Sequence, residues 1–126
     1  MKDLARRAVD VARRRAADYA DARAIVVDTE SVETKNGALS GLDAATSQGI
    51  GVRALVNGAW GFASASNLDA ASAELAAVRA VEIARASARA VADPVRLAAA
   101  RPVVASWSTP CEIDPFTVSV DDKLSL

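Results

Sequence analysis

A chain of 126 residues is long enough for about one domain with one core, but thirty alanines and only 4% aromatic residues mean a core of small side chains. Fifteen Lys and Arg stand against 16 Asp and Glu, a formal net charge of −1, which argues against a general polyanion binder. The chain has no histidine, and this excludes a His-based triad, a His-ligated zinc and a histidine acid–base switch within it.

Cys111 is the sole cysteine, so no intrachain disulfide can form. A lone cysteine reads as a small buried hydrophobe. The N-terminus carries no apolar stretch of a secretory signal, and nothing approaches the roughly 20 apolar residues of a membrane span. A soluble, cytoplasmic protein is expected.

The first element is an amphipathic helix over Lys2–Tyr19. Leu4, Ala8, Val11, Ala12, Ala16 and Tyr19 recur at three- and four-residue steps and share one face; Arg6, Asp10, Arg13, Arg14 and Ala17 take the other. Asp3–Arg7 and Asp10–Arg14 are i,i+4 pairs worth about 0.2–0.5 kcal/mol each. The run Arg13-Arg14-Arg15 reads as a solvated helix end whose cations oppose the helix dipole. A nucleic-acid face is the competing reading. It is weakened by the flanking Asp10, Asp18 and Asp21 and by the lack of interleaved aromatics.

From Ala22 the pattern turns to strands. Ala24–Val27 is a β-branched run and Ser31–Lys35 alternates, followed by Asn36-Gly37, a hairpin signal because a type I′ turn needs φ > 0 at both central residues. A second strand is expected over Ala38 to about Gln48. A third is expected over Gly49–Val56, with Ile50, Val52, Ala54 and Val56 on one face. Asn57-Gly58 is a second hairpin signal, and Ala59–Ser64 makes a fourth strand with Trp60 and Phe62 on one face. The expectation is an antiparallel meander of four strands. Gly49, Gly51 and Gly61 lie inside these strands, where glycine marks either a bulged, strongly twisted sheet or the close approach of another backbone.

Ser66-Asn67-Leu68-Asp69 has capping-box spacing, and a long helix is expected from about Asp69 to Val91, stopped by Asp93-Pro94. Ala73, Ala76, Ala80, Ile83, Ala84, Ser87 and Val91 fall on its sheet-facing side; Glu74, Arg79, Glu82, Arg85 and Arg89 fall opposite. The tail holds prolines 94, 102, 110 and 115, and Val103–Trp107 has the composition of a short edge strand. Ser119–Asp122 is another capping box, opening a helix of about one turn before Leu126. That suggests either a piece of a longer protein or the frayed end of a small complete one. The fold class is therefore α+β: a helix, a four-stranded antiparallel meander with two Asn-Gly hairpins, a long helix, and an extended Pro-containing tail. Residues 1–92 form the domain core and 93–126 the tail.

The segments Ala17–Arg23, Lys35-Asn36-Gly37, Gly49–Leu55 and Asn57–Ala63 together resemble the N-terminal domain of the TldD/PmbA family, zinc-dependent peptidases once labelled modulators of DNA gyrase. Asp114-Pro115-Phe116 and Val118–Leu124 resemble the TldD branch more than the PmbA branch. The resemblance covers essentially the whole chain, in order. It implies a catalytic His-Glu-x-x-x-His zinc motif, with a further Cys ligand, far downstream of these residues. Nothing here matches that motif, so no catalytic or metal-binding residue is carried over, no cofactor is expected in this chain, and the chain alone should be inactive. The resemblance also implies paired TldD- and PmbA-type subunits enclosing a chamber that admits unfolded or short peptides, with this domain in the chamber wall and the subunit contacts.

Gly49, Gly51, Arg53, Trp60, Gly61 and Phe62 are the candidate peptide- or partner-contact residues, and Asn36, Gly37, Asn57 and Gly58 the structural turns. Asp121-Asp122 and Glu30…Glu33 read as structural or solvated acids. Gly49-x-Gly51 lacks the third glycine and the strand-to-helix context of a dinucleotide site. The expected partners are the C-terminal domain of the same protein, a TldD/PmbA-type subunit and peptide, with neither nucleic acid nor membrane. A stand-alone peptide- or protein-binding module using a sheet edge is the alternative.

Overall fold

The first helix, α1 (Lys2–Arg14), follows the apolar stripe of Ala8, Val11 and Ala12, all buried. It ends earlier than the periodicity predicts. Ala16 takes a left-handed φ of 57°, the Ala17 amide folds back onto the Ala12 carbonyl, and the Asp18 amide donates to the Leu55 carbonyl. The chain is thus captured by a strand before another helical turn can form, and Tyr19 opens β1 (Tyr19–Lys35) instead of closing the helix.

A computed structural model describes residues 1–125. After β1 come β2 (Ala38–Val56), β3 (Ala59–Ala65), α2 (Ala70–Ser87), a 3₁₀ turn at Pro115–Thr117 and α3 (Val120–Leu124). The class is α+β with a three-stranded antiparallel sheet in the order β1-β2-β3. The four-stranded expectation is corrected: the second and third expected strands are one continuous β2 of 19 residues. Positive φ occurs at Asn36-Gly37 and Asn57-Gly58, between strands, but at neither Gly49 nor Gly51. Extended glycines leave a strand free to run on, and nothing between Gln48 and Gly49 reverses the chain.

The chain divides into two compact units: Met1–Val26 with Gln48–Ala105, and Val27–Ser47 with Ser106–Leu126. In the first, the body, β2 and β3 pair from Ile50↔Ala65 to Val56↔Ala59. Ile50, Val52, Ala54 and Val56 form the buried face of β2 and join Ala8, Val11 and Ala12 of α1 with Ala73, Ala76, Ala77, Ala80, Val81 and Ala84 of α2 in one core. Ile50, Val52 and Val81 are its largest fully buried side chains, so alanines fill most of it. Gly61 shows how close the layers come. A Cβ there would collide with the Ala80 carbonyl oxygen and the Ala84 nitrogen, and would lie 3.0 Å from the Ala84 Cα.

That approach sets the rotation of α2. Ala80 and Ala84 lie against β3, which puts Ile83, about 100° round the helix from Ala84, at 45% exposure rather than on the sheet-facing side expected for it. Val81 and Ala77 are buried in its place. The N-cap is Asp69 rather than Ser66: its carboxylate accepts from the Ser72 amide at 2.7 Å and from the Ser72 hydroxyl at 3.1 Å. The helix stops at Ser87, short of Val91. Residues 94–111 form neither helix nor strand, so the short strand expected at Val103–Trp107 is absent, and Trp107 is 81% exposed. Cys111 is exposed, not a buried hydrophobe. The tail is tied to the body where the Val95 amide donates to the Gly58 carbonyl at 2.8 Å.

The second unit, the arm, is the distal ribbon of β1 and β2 with the last tail residues. Thr46 donates to the Asp28 carboxylate at 2.6 Å, and Thr29 donates to the Ala45 carbonyl at 3.1 Å. Asp114 accepts from the Phe116 amide and sets the 3₁₀ turn. Ser119 accepts from the Asp122 amide and caps α3, while the Asp122 carboxylate accepts from the Ser119 hydroxyl. The Lys123 ammonium pairs with Glu30. Among the described residues of the arm, none is buried.

Candidate functional site

Strand alternation sends every second residue of the body's sheet away from the helices. On β1, Ala20, Ala22 and Ala24 pack toward the core, which turns Tyr19 and Asp21 to the opposite, open face. On β2, Gly49, Gly51 and Arg53 share that face, and on β3 Trp60 and Phe62 do. Arg53 lies opposite Phe62 in the register and Leu55 opposite Trp60.

Three side chains meet there. The Arg53 guanidinium pairs with Asp21, Nη2 at 2.7 Å from Oδ2, and Nε donates to the same carboxylate at 3.0 Å. Its Cζ stands 5.1 Å from the Trp60 ring centroid, a cation–π distance. The Tyr19 ring meets Trp60 edge-on, centroids 5.8 Å apart at 87°. The hydrogen bond and charge of Asp21 hold the guanidinium still more firmly protonated than usual. The Phe62 ring lies over Gly51, where a Cβ would stand 3.1 Å from its edge, and Phe62 remains 57% exposed.

Five of the six residues singled out from sequence, Gly49, Gly51, Arg53, Trp60 and Phe62, thus lie on the open face. Gly61 does not; it faces α2, and its lack of a side chain serves packing. Gly49 closes the sheet instead of leaving a gap, since a Cβ there would be 2.9 Å from the Ala65 carbonyl oxygen. Tyr19 and Asp21 were missed. The signal for them is the strict alternation Tyr19-Ala20-Asp21-Ala22-Arg23-Ala24, with small residues inward and polar ones outward.

Chemically, this face offers a cation held between a carboxylate and an aromatic ring, flanked by a half-exposed phenyl ring. It presents no nucleophile beside a base. Among the described residues, no three His, Cys, Asp or Glu side chains are grouped to hold a metal ion. Among them, too, no helix is long and apolar enough to cross a membrane.

No curated protein matches the chain. The family model of PmbA/TldA metallopeptidase domain 1 matches residues 20–88, which hold nearly all of β1 and the whole of β2, β3 and α2. The match therefore takes in the sheet, its open face and the helix packed behind it, more than half of the sequence, and the chain belongs to the PmbA/TldD metallopeptidase family.

Proposed function

We propose that this chain is the N-terminal, non-catalytic domain of a TldD-type metallopeptidase, serving subunit assembly and the enclosure of unfolded or short peptides. One observation carries the reading: a chain without histidine matches the first domain of a metallopeptidase family. The ligands of a hydrolytic zinc then belong to the C-terminal part of the enzyme. Asp114-Pro115-Phe116 and Val118–Leu124 support the TldD branch. The domain works in the cytoplasm, against its own C-terminal domain, a TldD/PmbA-type partner subunit and peptide. Metal analysis and a peptide-digestion assay on the purified chain test this. The expected result is no stoichiometric zinc and no cleavage; chelator-sensitive proteolysis by this chain alone would overturn it.

A second reading, a stand-alone peptide-binding module, is favoured by the position of β3 at the edge of the sheet beside the Trp60–Phe62 face. Strand addition at that edge would shift backbone NMR signals of Ala59–Ala65 when an unfolded peptide is titrated. Unchanged shifts at about millimolar peptide, a concentration at which even contacts of roughly 4 kcal/mol register, would remove this reading.

A further inference from the structure

Asn36-Gly37 and Asn57-Gly58 both serve as turns, and the same dipeptide is chemically reactive. The backbone nitrogen after an asparagine attacks the asparagine Cγ, and glycine, with no side chain, screens that nitrogen least. The glycine N–H proton passes to solvent, the Cγ–Nδ2 bond breaks with release of ammonia, and a five-membered succinimide closes. Water then opens the ring. Attack at Cγ leaves aspartate; attack at the backbone carbonyl leaves isoaspartate, whose main chain is longer by one methylene. Water is the sole co-reactant.

Ring closure needs a backbone rotation that a type I′ turn forbids, so the turn must open first and the rate follows the free energy of that opening. Both turns carry the left-handed pair, with φ of 54° and 76° at Asn36-Gly37 and of 49° and 77° at Asn57-Gly58. Their surroundings differ. The Asn57 amide donates to the Asp18 carboxylate at 2.7 Å, and the Gly58 carbonyl accepts from the Val95 amide at 2.8 Å. Pro94 lies so close that a Cβ on Gly58 would collide with it. Leu55, Val56 and Ala59, on either side of this turn, are buried. At Gly37, among the described residues, nothing beyond the chain neighbours stands within 4 Å of the place a Cβ would take. Lys35, Ala38 and Leu39 beside it are exposed.

We infer that Asn36 is a site of spontaneous deamidation in the folded chain, and that Asn57, in the same dipeptide, is protected by Asp18, Pro94 and Val95. The product adds a carboxylate to a unit that is already acidic. The arm, Val27–Ser47 with Ser106–Leu126, holds eight Asp and Glu against Lys35 and Lys123, a formal charge of −6. The body holds thirteen Lys and Arg against eight acids, a formal charge of +5. Isoaspartate would also lengthen the turn that fixes the register of the arm's ribbon.

Ageing the whole chain in mildly alkaline buffer, folded and in concentrated urea, tests this by tryptic mapping and mass spectrometry. Trypsin separates the turns onto peptides 36–53 and 54–79, and fragment spectra distinguish Asn57 from Asn67. In the folded chain Asn36 should convert at least about tenfold faster than Asn57, whereas in urea, where no turn has to open, the two rates should agree within about threefold. Asp18→Ala should raise the Asn57 rate by about threefold or more and leave Asn36 unchanged. Asn36→Gly keeps a residue suited to the left-handed turn and lacks the amide, so the acidic species that accumulates on isoelectric focusing should disappear. Equal rates in the folded chain, faster conversion at Asn57, no conversion at Asn36, or a preference that survives urea would overturn the inference.

Discussion

The body and the arm share two strands, yet they are held by different physics. In the body, alternate residues of β2 disappear beneath two helices, and the layers are close enough for Gly61 to meet the backbone of α2. In the arm the same strands continue with no residue buried, held by ladder bonds, two threonine hydroxyls and the Lys123–Glu30 pair. A strand's hydrogen bonds are alike in both places; what differs is the second layer. Alanine makes that layer possible here, because small side chains on α2 let its backbone sit almost on the sheet. In the arm, whose ribbon is accompanied by a 3₁₀ turn and the five-residue α3, the sequence turns acidic and half-exposed, as expected of a surface kept soluble by charge.

Three measurements would break or sharpen this contrast. The largest expected effect is at the glycines. Gly61→Ala should destabilise the chain by about 3 kcal/mol or more in urea unfolding, because its methyl group meets helix backbone that cannot yield without separating the layers. Gly37→Ala, in the arm's turn, meets open space and costs only the left-handed backbone penalty, about 1–2 kcal/mol. Equal losses would mean that the body is not close-packed at β3.

Side-chain truncation comes next. Val81→Ala removes one of the three largest fully buried side chains and should cost about 2 kcal/mol. Leu42→Ala, in the arm, should change the stability of the chain by less than about 0.5 kcal/mol. A large loss at Leu42 would show a core in the arm that its exposure does not suggest.

The smallest effect is a titration. The Ser72 amide, followed by the Ser72 hydroxyl, holds the Asp69 carboxylate below the usual carboxylate range. A depressed folded-state pKa supplies stability that is complete above the unfolded value of about 3.9 and is lost as pH falls through the lower folded value. Thermal melts of the parent chain and Asp69→Ala should therefore differ at neutral pH and converge as the solution is acidified below about pH 4. A gap that stays constant down to pH of about 2 would mean that the cap does not depend on the carboxylate charge.

How far the chain could be read in advance follows from the range of each signal. The α+β class was legible because the two hydrophobic periods are local: Ala8, Val11 and Ala12 at helical spacing, Ile50, Val52, Ala54 and Val56 at every second residue. The common face of Trp60 and Phe62 came from the same alternation. The Arg53–Asp21 pair was not legible, since 32 residues separate its members and only the pairing of β1 with β2 brings them together. The helical phase of α1 also ran past its true end to Tyr19, which hid the aromatic partner of Trp60. Ile83 was misplaced for a related reason. Several faces of a helix this rich in alanine look apolar, and the contact with Gly61 selects among them.

What the sequence determined by itself was composition-bound: no histidine and therefore no histidine chemistry, a core of small residues, and two hydrophobic periods that specify helices and strands. Charge segregation was also present there, but it had no meaning until the fold collected residues 27–47 and 106–126 into one unit. Only the tertiary structure decided where α1 stops, that β2 runs unbroken through Gly49, which side of α2 is buried, and which carboxylate holds Arg53. Each of these is settled by a neighbour distant in sequence, through a carbonyl that accepts a bond or a backbone that excludes a methyl group, and local propensity carries no record of that neighbour.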